Sequence, residues 1–154
     1  MVMIKDLSKI KSNNPCFSFN HDSTVSEIAD LMDLKDIGAV PVLDSDNVLI
    51  GILSERDIVR KLVKTGRDSD LVTANDIMTK EIKSIYLNTS IVEAQKIMTE
   101  NNIRHLPVVD KNNKLINFLS QRDLIINPTK KKKQFMIISF FLLIFLAVFI
   151  ILII

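Results

Sequence analysis

Covalent and metal-held architectures find little material in this sequence. Among 154 residues there is one cysteine, Cys16, so no intramolecular disulfide can form, as suits a reducing compartment. Cys16 reads as a small apolar residue. Cys16, His21 and His105 show no paired ligand spacing, which argues against a zinc site. The N-terminus, Met1-Val2-Met3-Ile4-Lys5-Asp6, lacks the long apolar run of a secretory signal, so the body is expected to stay where it is synthesised. Charge is missing from the last 20 residues, Phe135 to Ile154, of which 17 are Phe, Ile, Leu or Val.

Without those 20 residues and Lys130 to Lys133, the remaining 130 carry 16 basic and 18 acidic side chains, a net of −2 against +2 for the whole chain. The sequence pI near 8.7 therefore belongs mostly to four lysines. A slightly acidic, ordinarily hydrophobic body of this size excludes a strongly basic nucleic-acid binder, a disordered chain and a multidomain enzyme. It suffices for one compact domain or two very small ones sharing a core.

Twenty helical residues at about 1.5 Å each span roughly 30 Å, the thickness of a bilayer hydrocarbon core. Seventeen large apolar side chains contribute at most on the order of −5 to −10 kcal/mol to insertion. A helix apolar all round needs a far larger protein to surround it, and a surface-lying helix needs a polar face. The expectation is a transmembrane helix over residues 135–154 after a basic linker, 128–134. The positive-inside rule places the lysines, and with them the body, on the cytoplasmic side.

The body repeats itself. A shift of 66 residues lays Thr24-Val25-Ser26-Glu27 on Ser90-Ile91-Val92-Glu93 and Met32 on Met98. It also lays Val40-Pro41-Val42-Leu43-Asp44 on Leu106-Pro107-Val108-Val109-Asp110, and Leu53-Ser54-Glu55-Arg56-Asp57 on Leu119-Ser120-Gln121-Arg122-Asp123. Thr24 with Glu27, and Ser90 with Glu93, have capping-box spacing. Val25, Ile28, Ala29 and Met32 then recur with helical period, as do Ile91, Ala94, Ile97 and Met98. Met32 and Met98 are read as packing residues.

Each helix precedes a β-rich run, 39–43 or 105–109, an Asp/Asn turn, and a second run, 48–53 or 115–119. A second helix is expected from Ser54 through Ile58, Val59 and Leu62 to Gly66, its counterpart starting at Ser120 and ending at Asn127-Pro128. A further strand is expected near residues 16–19 and 82–86. Units of about 50 residues with three strands cannot cover both sheet faces alone, so the two should pack through their sheets.

These residues resemble the cystathionine-β-synthase (CBS) domain family, whose units occur in tandem pairs. The resemblance rests on the capped helix, the apolar-Pro-Val-apolar-Asp strand and the signature Gly-x-x-Ser/Thr-x-x-Asp. Repeat 1 carries the signature in full, Gly51 to Asp57; repeat 2 has Asn117 at the glycine position, which favours the first cleft. Asp76-Ile77-Met78-Thr79 looks like the family's usual opening of a unit. The implied fold is α/β of the α+β kind: a first CBS domain over 1–69 and a second over 70–127, related by a pseudo-two-fold axis.

In that family such pairs bind adenosine-containing ligands, AMP, ADP, ATP or S-adenosylmethionine, in clefts between the units. By resemblance, Asp57 and Asp123 are ribose partners, with Ser54 and Ser120 contacting ribose or phosphate. A helix N-terminus offers N–H groups to a phosphate, although Ser-x-x-Asp also has the spacing of a helix-capping box. Apolar residues beside Pro41 and Pro107 would wall the adenine, with Ala39 on the same strand. Arg56, Arg122, Arg104 and His105 are the phosphate candidates.

His105 is a lone histidine without a nucleophile motif, and its repeat-1 equivalent is Ala39, so no enzymatic activity and no required cofactor are expected. The expected function is a regulatory module at a membrane, sensing an adenine nucleotide or related adenosyl ligand and signalling to an effector protein. The resemblance further implies a homodimer. The competing reading is a recruitment module with empty clefts, likewise anchored and not an enzyme.

Overall fold

The computed structural model describes residues 2–12 and 16–125. The chain divides into two units, Met1–Leu124 and Ile125–Ile154. The expected basic linker at 128–134 and membrane helix at 135–154 lie outside the described residues. Among the described residues no helix is long and apolar enough to cross a membrane.

The first unit opens with a 3-10 turn, Ile4–Asp6, and a short helix α1, Ser8–Lys11. Repeat 1 then runs β1 (Phe19–Asn20), α2 (Val25–Lys35), β2 (Ala39–Leu43) and β3 (Leu49–Ser54), followed by a helical run opening with α3 (Glu55–Asp57). After the short helix α4 (Ala74–Ile77), repeat 2 gives α5 (Ile91–Glu100), β4 (His105–Val109) and β5 (Leu115–Ser120). The expected helix–strand–strand order is thus present twice, each time followed by a helical segment.

The Thr24 box forms as read, while at Ser90 only the hydroxyl half forms, with no return bond from Glu93 among the described residues. Thr24 Oγ1 accepts from Glu27 N–H at 3.2 Å and Glu27 Oε2 returns to Thr24 N–H at 3.0 Å; Ser90 Oγ accepts from Glu93 N–H at 3.1 Å. Such caps contribute about 1 kcal/mol each. α2 buries Val25, Ile28 and Met32, and α5 buries Ile91, Ala94 and Met98. The acidic turns hold by a shared device: Asp44 Oδ1 accepts from Asp46 and Val48 N–H, and Asp110 Oδ1 from Asn112 and Lys114 N–H. Asn47 and Asn113 take the left-handed conformation at φ 61° and 60°, which Asn tolerates.

β2 is the middle strand of a three-stranded sheet, parallel to β1 and antiparallel to β3, with Pro41 opposite Ile52. β1 reaches only Val42 and Leu43, so the missing Pro41 N–H breaks no ladder bond. β4 and β5 form an antiparallel pair with Pro107 opposite Phe118 and the same irregularity one residue before the strand end. The strand expected near 16–19 is shifted to Phe19–Asn20, and that near 82–86 contracts to one bridge, Ile85 to Val108.

The second helices depart further from expectation. After α3 the chain widens into a π-helical stretch, Ile58–Leu62, then tightens into a 3-10 turn, Val63–Thr65, ending at Gly66 with φ 67°. In repeat 2 the corresponding helix is a single 3-10 turn, Gln121–Leu124.

Each repeat has its own core, and each core takes residues from the segment leading into the other repeat. Val72, Ala74, Ile77 and Met78 pack with Val25, Ile28, Val40 and Leu53 of repeat 1. Ile4, with Leu7 and Ile10 beside it, packs with Ile91, Leu106 and Leu119 of repeat 2. Backbone bonds follow the same exchange: Val25 N–H to Val72 O at 2.8 Å, and Ile4 N–H to Thr89 O at 2.9 Å. The boundary between residues 69 and 70 therefore divides the sequence repeats but not the packing. The repeats touch at the turn ends of their strands, where Leu43 and Leu49 pack with Val109 and Asn113 Nδ2 donates to Leu49 O at 3.0 Å.

Candidate functional site

The signature Ser and Asp of each repeat sit at the end of the second strand, where the chain turns into its following helix. In repeat 1 they form a complete capping box. Asp57 Oδ2 accepts from Ser54 N–H at 3.0 Å and from Ser54 Oγ at 2.6 Å, while Ser54 Oγ accepts from Asp57 N–H at 3.3 Å. Asp57 Oδ1 meets Lys61 Nζ at 2.8 Å and Thr79 Oγ1 at 3.0 Å. Burial alone raises the Asp57 pKa, but the bonds from Lys61, Ser54 and Thr79 outweigh it and hold the carboxyl below its ordinary value.

Repeat 2 repeats the motif with a different cation. Asp123 Oδ2 accepts from Ser120 N–H at 2.7 Å and Ser120 Oγ at 2.9 Å. The same oxygen takes Lys9 Nζ, from the N-terminal segment, at 2.9 Å. Here too burial raises the pKa and the Lys9 and Ser120 hydrogen bonds bring it below the ordinary carboxylate value.

Three expectations about the clefts change. Val40, Val42, Leu106 and Val108, the apolar neighbours of Pro41 and Pro107, are fully buried core residues, because strand alternation turns them inward, so none is free to wall an adenine. Ala39, Pro41 and Pro107 are buried as well. The N–H groups expected to meet a phosphate are partly spent inside the protein: Glu55 N–H donates to Gly38 O at 3.1 Å and Gln121 N–H to Arg104 O at 2.8 Å. Gly51 does not have positive φ; an added Cβ would stand 2.2 Å from Met78 Sδ, so its bareness makes room for a core methionine rather than a ligand. At the equivalent position Asn117 is buried, its Oδ1 accepting from Phe118 N–H at 2.8 Å.

Arg56, Arg104 and Arg122 are exposed and form no ion pair among the described residues. His105 is half-buried and stacks on Phe118, ring centroids 5.5 Å apart and 5° from parallel. A Cβ on Gly38 of repeat 1 would lie 3.8 Å from His105 Cε1 and 3.1 Å from Glu55 Oε2. His105 thus reaches across to Gly38 of the other repeat. Burial, then the charges of Arg104 and Lys9, lower its pKa against the opposing pull of Asp123. Cys16, whose thiol is pushed up to about 11 by burial despite Lys9 and the Phe118 N–H, is not a reactive thiolate.

Lys61, Thr79, Lys9 and Phe118 were missed by sequence reasoning. Lys61 was readable, four residues after Asp57 on a helical pattern. Lys9 was not, because 114 residues separate it from its partner.

The family model described as CBS domain matches residues 4–64 and 74–128. An uncharacterised protein of Methanopyrus kandleri is 38% identical over 102 residues, 66% of this chain, which spans about half (52%) of that relative's length. A solved CBS-domain protein from Burkholderia ambifaria is 36% identical, with a TM-score of 0.71 over 79% of this chain and 86% of that one. The CBS domain pair of protein MJ0100, solved with 5-methylthioadenosine and S-adenosyl-L-methionine, has a TM-score of 0.70 over 80% of this chain and 93% of that one. At 22% identity it shows a shared fold alone.

Proposed function

The chain belongs to the CBS domain family, and from that premise we propose that it is a regulatory, non-enzymatic module that senses an adenosyl ligand and signals to a partner protein at a membrane. The carrying observation is the pair of carboxylates, Asp57 buried and Asp123 half-buried, at equivalent strand ends and each held ionised. An ionised carboxylate accepts hydrogen bonds from both hydroxyls of a ribose, and the exposed Arg56, Arg104 and Arg122 supply donors for a phosphate. No cofactor is required by this reading. AMP, ADP, ATP and S-adenosylmethionine are the ligands to test, all four carrying the adenosyl group that also forms part of the MJ0100 ligands.

Calorimetry of the full chain with AMP, ATP and S-adenosylmethionine tests the sensing function. Saturable heat with one of them is expected; none at millimolar concentration removes the sensor. In that event the second reading stands, a recruitment module whose clefts stay closed. It is favoured by the complete internal pairing of Asp57.

Membrane attachment rests on the 20 uncharged residues that follow Lys130 to Lys133. The connector of 8 residues from Asn127 to Gln134 reaches at most about 27 Å extended, which keeps the module close to the headgroups on the cytoplasmic side. Fractionation should leave the protein in membranes after high salt and alkaline wash; recovery in the supernatant refutes the anchor. A homodimer is part of the same reading. Val59 and Val63, one turn apart and both well exposed, offer it an apolar contact, and light scattering should give twice the chain mass.

A further inference from the structure

The two lead-in segments are also related to one another, but at a shift of 70 residues rather than 66. Met3 pairs with Ser90 in an isolated antiparallel bridge, as Thr73 pairs with Thr24. Ile91 N–H donates to Val2 O at 3.1 Å, as Val25 N–H donates to Val72 O at 2.8 Å. Each segment then turns on an acid that accepts from the backbone three residues before it, Asp6 from Met3 N–H at 3.1 Å and Asp76 from Thr73 N–H at 2.9 Å. At this shift Lys9 falls on Thr79.

Lys9 and Thr79 are the side chains through which the two segments reach the signature carboxylates. Lys9, in the segment leading into repeat 1, meets Asp123 of repeat 2 at 2.9 Å. Thr79, in the segment leading into repeat 2, donates to Asp57 of repeat 1 at 3.0 Å. Lys61 reinforces the second contact, because its ammonium bonds both Asp57 Oδ1 at 2.8 Å and Ile77 O at 2.7 Å. Each carboxylate is also tied to the strand end of its own repeat, Asp57 to Ser54 and Asp123 to Ser120. Each thus joins a strand end in one repeat to the chain that enters the other.

We propose that the signature carboxylates are crossed latches: Asp57 holds the chain entering repeat 2, Asp123 holds the chain entering repeat 1, and a change of partner at either is passed to the opposite entry. Each repeat has its own core, and the latches give one repeat a physical route by which to report on the other. The device stands without any ligand, so it goes beyond the sensing reading and does not fall with it.

Hydrogen–deuterium exchange of the full chain reads each segment through its own backbone bonds: Thr79 N–H to Ile52 O at 2.8 Å in one, Ile4 N–H to Thr89 O at 2.9 Å and Lys5 N–H to Leu87 O at 3.0 Å in the other. Thr79→Val and Asp57→Ala should each speed exchange in residues 72–80 about tenfold, the loss of a hydrogen bond to a charged group in a local opening, and leave residues 2–12 unchanged. Lys9→Met and Asp123→Ala should do the converse, by about three- to fivefold, since Lys9 is 41% exposed and its ion pair is partly screened. Thr79→Val added to Asp57→Ala should speed exchange no further, because the latch is already open. Should an alanine variant fail to fold, Thr79→Val and Lys9→Met carry the same contrast by themselves. Faster exchange in both segments from one of these two substitutions, or a change confined to residues 54–58 and 120–124, overturns the crossed latch.

Discussion

Gly51→Ala is a sharp test of what the signature glycine does. The added Cβ would stand 2.2 Å from Met78 Sδ, 2.8 Å from Cγ and 3.2 Å from Cβ. The first two are the far end of a flexible side chain, but Met78 is 7% exposed and packed with Ile77, Leu53 and Val42, so it has little space to retreat into. Overpacking of this kind costs about 1–3 kcal/mol, and the third contact places the expectation near the upper end. Met78→Ala alone should cost about 2–5 kcal/mol by leaving a cavity. Combined, the two should cost less than their sum by about 1 kcal/mol or more, because the alanine methyl then enters space that Met78 has vacated. Chemical denaturation of the full chain, followed by circular dichroism, reads all three. Additivity to within about 0.5 kcal/mol would refute the packing role and return the glycine to a ligand.

Three further outcomes follow from the same contacts. Asp57 and Asp123 are more acidic folded than unfolded, so their stabilisation is complete above the unfolded value near 4 and is lost as pH falls through the folded values; Asp57→Asn should flatten that acid limb, and an unchanged limb would contradict it. His105 is also depressed. Its neutral form is favoured in the fold, so its contribution is present above the ordinary value near 6.5 and is lost as pH falls through the folded value. An NMR titration should find its midpoint below 6.5, and a midpoint above it would mean that Asp123 outweighs burial. Ile4→Ala should cost about 2–5 kcal/mol and loosen residues 85–119 before residues 25–53, because Ile4 is fully buried in the core of repeat 2; loosening of repeat 1 first would deny the exchange of lead-in segments.

Much of the site's local form was legible because it depends on near neighbours. Ser54 and Asp57 lie three residues apart, the reach of a capping box, and the same spacing at Ser120 and Asp123 gives the two bonds onto the carboxylate. Pro41 and Pro107 marked paired strands, and the acidic turns after them follow from side chains bonding their own backbone two and four residues on. The π-helical widening at Ile58–Leu62 left no comparable mark, since its apolar spacing suits an ordinary helix equally well.

By itself the sequence determined the duplication, the element order, most of the caps and turns, the strands over 39–43 and 105–109, and the uneven distribution of charge, all of which are written in periods of two to four residues, in a repeat at one fixed offset or in plain composition. Tertiary structure decided which lead-in segment packs on which repeat. It decided that Met78 lies over Gly51, that Asp57 spends both oxygens internally, and that Asp123 takes its cation from the N-terminal segment. Those outcomes depend on contacts such as Lys9 with Asp123, 114 residues apart, and no local pattern encodes which of several lysines a carboxylate will meet once two cores have exchanged their edges.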